Sequence, residues 1–212
     1  MTISGKSLVL ATTALVAMGT AGHADPVTRE AALAQTSVYR VGFPVEVSIE
    51  AGEGLGGEED LLATNATAAK HYALGRLSYE PGYVMPDKRT VYIGNDETNG
   101  GMFRFHADAE GDLSAGELFA AKLTRAAEKG ARTSSFKIGR ISLGHATDAE
   151  VDALIAKAAS RLETARSAAV RGATSERCKM EGVAFDARKF EAAGGVAEDF
   201  DKYLAYFNFA AK

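Results

Sequence analysis

Two short β-rich runs joined by a turn-forming sequence constrain this chain more than any other feature. Residues 90–94 (TVYIG) and 102–106 (MFRFH) carry β-branched and aromatic side chains, and NDETNGG separates them. The pair Asn99-Gly100 favours the positive φ values that a tight turn between antiparallel strands requires. The sequence therefore predicts a β-hairpin in this region.

Acidic residues accompany this predicted hairpin. Glu80 precedes a Pro-Gly turn, Asp96 and Glu97 lie at the mouth of the hairpin, and Glu181 lies in a distant segment, RCKMEG. Carboxylates at strand ends and turns suit hard cations such as calcium, which takes oxygen ligands. If the four carboxylates converge, their mutual repulsion requires a cation between them. The alternative is that each carboxylate is solvated on its own loop.

The N-terminal residues have the pattern of a secretory signal. Lys6 supplies a positive charge, residues 7–18 are mostly apolar and small, and Gly22 and Ala24 precede a predicted cleavage point before Asp25. We therefore expect residues 1–24 to be a signal peptide, residues 25–37 a leader segment, and residues 38–212 a single domain. The predicted location is periplasmic or secreted; an uncleaved membrane anchor is the alternative.

Charge and cysteine content exclude several classes of protein. The chain has a formal net charge of −4, and removal of residues 1–24, which contain one Lys and no acid, would leave −5. A mildly acidic chain lacks the basic character that binding to nucleic acid or to an anionic membrane requires. Cys178 is the single cysteine, so the chain forms no internal disulfide.

The rest of the chain predicts further strands and two helical segments. Residues 38–50 alternate as a half-buried strand does, and Thr147 and Glu150 form a capping box before a helix expected to reach Val170. The secondary structure of residues 113–129 is ambiguous, although their composition favours a helix by propensity. The other predictions are a Gly-rich acidic loop at 52–60, an extended segment at 67–79, a strand pair within 136–143, a strand at 182–185 and a terminal helix at 200–209.

Three segments resemble the PhoX-like family of secreted phosphatases. They are LGRLSYE followed by VYIGNDETNGGMFRF, then GDLSAGELFAAKL with ISLGHATDAEVDALI, then RLETARSAAVRGATSERCKMEGVAF, in the family's order. Members of that family are β-propeller enzymes that use calcium and iron to hydrolyse phosphate monoesters. The resemblance implies that residues 117–122 form a strand. The fold class expected is mainly β with helical insertions: partial propeller-like antiparallel sheets, one well-capped helix and a C-terminal helix.

The resemblance also implies roles for individual residues. Glu80 and Glu181 match positions that hold metals, and Asp96 and Glu97 match an acidic hairpin pair. Lys179 matches a basic position near the bound phosphate, so Lys179 and Glu181 are the candidate catalytic residues. The implied cofactor is calcium, with iron as the second metal that the family uses. The implied partner is a small phosphoester.

The chain departs from the family pattern in ways that suggest a shortened member. Tyr79 replaces a His of the family, Asn95 replaces an Asp, and the chain has no Trp, although the family's upstream motif is rich in Trp. A propeller blade takes about 40–45 residues and closure usually needs at least four blades, so we expect strands for two blades at most. Open sheet edges would then favour self-association. The alternative function is that of a non-catalytic calcium-binding or structural relative.

Overall fold

The computed structural model describes residues 41–49, 66–125, 136–153, 159–174, 177–178, 180 and 182–207. The predicted signal peptide, the leader segment and the Gly-rich loop at 52–60 lie outside these residues. Lys179 and Glu181 also lie outside them.

A five-stranded antiparallel sheet forms the centre of the described structure. Its strands are β3 (Tyr79–Val84), β4 (Thr90–Asn95), β6 (Met102–Ala109), β7 (Asp112–Arg125) and β8 (Phe136–Thr147), and they are neighbours in that order. The predicted hairpin is confirmed, since β4 pairs with β6 and Ile93 lies opposite Phe103. Each strand therefore lies next to strands that follow or precede it closely in the chain.

The two faces of this sheet are covered by different parts of the chain. The inner face carries Val91, Phe105 and Leu118, which are fully buried beside a 3-10 helix at Tyr72–Leu74. The outer face carries Tyr92, which packs in a cluster with Phe190 and Phe200 from the C-terminal part of the chain. Because side chains alternate along each strand, the same strands supply both packed layers.

Three two-stranded antiparallel sheets surround the central one. They pair β1 (Val45–Ile49) with β2 (Ala66–Lys70), β5 (Thr98–Gly100) with β9 (Arg177–Cys178), and β10 (Gly182–Phe185) with β11 (Leu204–Phe207). The strand predicted at 182–185 is confirmed as β10. Of the strand predicted at 38–50, residues 45–49 form β1 and residues 41–44 do not belong to it, whereas residues 38–40 and 50 lie outside the described residues.

The described helices are short. They are α1 (Asp148–Asp152), α2 (Ala159–Leu162), α3 (Thr164–Val170), α4 (Ala187–Ala192) and a 3-10 helix at Ala197–Tyr203. The predicted capping box is confirmed: Thr147 Oγ1 accepts from the Glu150 backbone N–H, and the Glu150 carboxylate accepts from the Thr147 N–H. The single helix expected to reach Val170 is wrong, because the chain bends at Glu163 between α2 and α3.

The ambiguous segment at 113–129 is a strand as far as residue 125, and this includes the strand expected at 117–122. Pairing with β6 and β8 and burial of Leu118 outweigh helix propensity there. Two other predictions of local structure need correction. Residues 136–147 form one long strand rather than a strand pair. The terminal helix predicted at 200–209 is also wrong: residues up to 203 form a 3-10 helix, and β11 then pairs with β10.

The fold class is mainly β with helical insertions, as predicted. The extended segment expected at 67–79 is interrupted, since the 3-10 helix Tyr72–Leu74 lies between β2 and β3. In the described part of the chain, no helix combines the length and the apolar character that crossing a membrane requires.

A buried arginine ties the inner layer together. Arg161 is 0% exposed, and its Nε donates to the Ala73 carbonyl at 2.5 Å. Its Nη2 donates to the carbonyls of Gly144 at 2.6 Å and Gly116 at 3.3 Å, and its Nη1 to that of Leu143 at 3.4 Å. Burial lowers the pKa of Arg161 to about 10, so the guanidinium remains charged at neutral pH. One side chain thus joins α2 to the 3-10 helix, β7 and β8.

We expect Arg161→Met to lower the free energy of unfolding by about 3 kcal/mol or more, because several buried carbonyls lose their donor. Urea unfolding measures this loss. Arg166→Met is the matched control, since the Arg166 side chain is 79% exposed. Equal stability of the two variants would contradict the role given to Arg161.

Candidate functional site

The turn between β4 and β6 has the geometry that its sequence requires. Asn99 has a φ of 63°, and the Gly100 N–H donates to the Glu97 carbonyl at 3.0 Å. A Cβ at Gly100 would lie 2.5 Å from the Asn95 carbonyl oxygen, so only glycine fits there. The turn therefore holds Asp96 and Glu97 at a fixed position beside the end of β4.

Asn95 fastens this turn to the start of β3. Asn95 is fully buried, and its Oδ1 accepts from the Ser78 backbone N–H at 3.1 Å. The Asp96 N–H in turn donates to the Ser78 carbonyl at 2.8 Å. These bonds place Asp96 and Glu97 beside the strand that carries Glu80, as the predicted site requires.

The exposed carboxylates Glu80 and Glu97 differ in their described contacts. Glu97 is exposed, and its Oε1 accepts from the Ser78 hydroxyl at 2.8 Å. Its Oε2 lies 3.5 Å from the Asn95 Nδ2 donor. Glu80 is also exposed. Within the described residues, no group of three His, Cys, Asp or Glu side chains is placed to hold a metal ion.

The pairing of β5 with β9 brings Arg177 and Cys178 to the same turn. Thr98 lies opposite Cys178 and Gly100 lies opposite Arg177. Met180, two residues further along, is buried against Met102 at the start of β6. The described residues on either side of Lys179 thus lie next to the hairpin that carries Asp96 and Glu97.

A second cluster of ionisable groups was not predicted from the sequence. His71 is buried, its Nε2 lies 3.0 Å from Glu46 Oε2, and its Nδ1 lies 3.1 Å from Asp148 Oδ2. Asp148 Oδ1 also accepts from the Ala73 N–H at 2.7 Å. This imidazole joins β1 to the first turn of α1, and both of its nitrogens are occupied.

The other described histidines make local contacts. His106 Nδ1 lies 3.1 Å from the Thr90 hydroxyl, and His145 Nε2 lies 2.8 Å from Asp108 Oδ2. Burial, together with the Arg89 guanidinium, lowers the pKa of His106.

The outer face of the central sheet carries a third unpredicted group. The Tyr92 hydroxyl donates to Asp201 at 2.6 Å, and the same carboxylate pairs with the Arg140 guanidinium. Arg104 lies directly opposite Tyr92 on the neighbouring strand. No sequence motif connects these residues, because Asp201 and Tyr92 are 109 positions apart.

Comparison of the chain with protein-family models, with curated proteins and with solved structures gave no match.

The His71 cluster predicts a specific pH dependence of stability. Burial alone lowers the pKa of His71, but hydrogen bonds and charge from Asp148 and Glu46 raise it above 6.5. The folded state therefore binds the proton more tightly than the unfolded state, and the stabilisation is complete below pH 6.5. It is lost as the pH rises through the raised pKa.

We expect His71→Gln to remove this loss of stability above pH 6.5. Urea unfolding of wild type and variant at a series of pH values measures it, and the difference between them should shrink as the pH rises. His145→Gln is the control, because the His145 side chain is 49% exposed. A difference that does not change with pH would contradict the assignment of a charged His71.

Proposed function

We propose that this protein is an exported, calcium-dependent phosphate monoester hydrolase of the PhoX-like type. The observation that carries the proposal is the β5–β9 pairing, since it brings Arg177 and Cys178 of the RCKMEG segment beside the acidic hairpin. The two segments are about 80 residues apart in the chain. Their acidic residues can bind the same cation only if the two segments lie next to each other. The resemblance of three segments to that family supplies the reaction.

The ligands proposed for the cation are Glu80, Asp96, Glu97 and Glu181. Carboxylate oxygens suit calcium, and the described members lie on the turn and on the adjacent strand. When bound, the cation would polarise the phosphoryl oxygens and lower the pKa of a water molecule. We propose no ligands for iron.

The chain's own residues have defined tasks in this proposal. The buried Asn95 amide fixes the turn against Ser78, so that Asp96 and Glu97 are held before any ligand binds. Lys179 is proposed to attract and orient the phosphate through its ammonium group. Preorganisation of this kind lowers the cost of binding a charged group.

A second candidate, a non-catalytic calcium-binding or structural relative, is favoured by one observation. Glu97 already accepts hydrogen bonds from Ser78 and Asn95, so that its oxygens are partly committed to holding the turn. A site of this kind would stabilise the hairpin on binding calcium without turning over a substrate. The proposed location, periplasmic or secreted, is common to both candidates and rests on the signal-like N-terminal sequence.

We expect Glu181→Gln to reduce calcium-dependent hydrolysis of an aryl phosphate to the level seen with chelator, because it removes one anionic ligand and leaves the side-chain shape. The measurement is phosphate release by the purified protein with calcium, then with chelator. Glu191→Gln is the matched control: Glu191 is exposed on α4, and its replacement should leave turnover unchanged.

The outcomes separate the two candidates. Calcium-dependent turnover that is lost in Glu181→Gln supports the hydrolase. A rise in melting temperature with calcium, without phosphate release, supports the non-catalytic relative, since any ligand that binds only the folded state stabilises it. Turnover that Glu181→Gln leaves unchanged would remove Glu181 from the site.

A further inference from the structure

Two arginines lie on the same outer face of the central sheet. Tyr92, Arg104 and Phe119 form one cross-strand row over β4, β6 and β7. Arg140 on β8 lies opposite Ala121, which is two residues beyond Phe119 and therefore faces the same way. The pleat of the sheet thus directs Arg104 and Arg140 into one layer.

An aromatic ring lies close to each of the two guanidinium groups. Arg104 Cζ lies 4.9 Å from the centroid of the Phe119 ring, and Arg140 Cζ lies 5.5 Å from that of Tyr92. A cation–π contact of this kind attracts the charge and does not satisfy the N–H donors.

Three of these donors have no acceptor within the described part of the chain. They are Arg104 Nε, Arg140 Nε and Arg140 Nη1, and all three atoms are buried. Arg161 provides the internal comparison, because each of its three nitrogens donates to a carbonyl or hydroxyl oxygen. The same fold satisfies one buried guanidinium completely and leaves two others with spare donors.

The charges on this face are also unbalanced. Asp201 is the one carboxylate with a described contact to the group: it pairs with Arg140 and accepts from the Tyr92 hydroxyl at 2.6 Å. Burial and the neighbouring Asp201 raise the pKa of Tyr92, so the phenol stays neutral and remains a donor. Among the described residues, two guanidinium charges therefore face one carboxylate, and a second anion would reduce the cost of burying them.

We propose that Arg104 and Arg140 form a binding site for a compact oxyanion, with phosphate as the best match. A phosphate group offers several oxygens to in-plane N–H donors from two directions, whereas a carboxylate offers two. The proposed site requires neither Glu181 nor a metal. The Arg140 side chain as a whole is 14% exposed.

The test is titration calorimetry of the full chain with inorganic phosphate in the presence of chelator. We expect saturable binding at one site, with sulfate weaker and acetate weakest. Arg104→Gln and Arg140→Gln should each weaken phosphate binding about tenfold or more, because each removes a charge-assisted hydrogen bond. Arg166→Gln, on the exposed face of α3, should bind as wild type does.

A second measurement uses the wild-type protein alone, so that the proposal can be tested even if a variant fails to fold. Phosphate should raise the melting temperature of the wild-type protein in chelator, and sulfate should raise it less. No saturable binding to the wild type would overturn the proposal.

Failure of this proposal is distinguishable from failure of the hydrolase. Loss of phosphate binding in chelator with intact calcium-dependent turnover would reject the arginine site alone. Phosphate binding without turnover would reject the hydrolase alone.

Discussion

The Arg161 guanidinium is the interaction on which the inner layer of this protein depends. A buried cation surrounded by carbonyl groups is favourable only if each donor has its acceptor in place. The Arg161 guanidinium therefore needs the 3-10 helix, β7 and β8 to be in their native positions at the same time. Tyr79 adds to the same arrangement, because its buried hydroxyl lies 2.9 Å from the Leu74 carbonyl and 2.8 Å from that of Gly75. The result is a rigid support beneath the strand that leads to Glu80.

The residues of the two proposed binding sites lie at the hairpin turn and on the outer face of the sheet. The turn is fixed by Asn95 and Ser78, and the β5–β9 pair brings a distant segment against it. The outer face has aromatic packing from the C-terminal part of the chain, with Arg104 and Arg140 beside it. Within the described residues, each nitrogen of Arg161 has an acceptor on the inner face, whereas Arg104 Nε, Arg140 Nε and Arg140 Nη1 on the outer face have none.

Local signals account for the parts of the fold that the sequence predicted. Asn99-Gly100 identified the hairpin and Thr147 with Glu150 identified the start of α1, because turn and cap preferences act over a few residues. Propensity left β7 ambiguous and wrongly favoured a helix where β11 lies, because strand pairing overrides propensity. The partners of Arg161 and His71 could not be predicted, since Ala73 and Asp148 lie 88 and 77 positions away from them respectively. For the candidate site, the sequence indicated the acidic turn but not its contact with Ser78.

The central claim is that the segment containing Cys178 lies beside the acidic hairpin, and the single native thiol allows a direct test. Thr98→Cys places a second thiol opposite Cys178 in the β5–β9 register. Mild oxidation should form an intramolecular disulfide, seen as a loss of two hydrogens in the intact mass, because a disulfide requires Cα atoms within about 7 Å. Ala149→Cys, exposed on α1, is the control and should stay reduced within the monomer. A Thr98→Cys protein that oxidises no faster than this control would contradict the account.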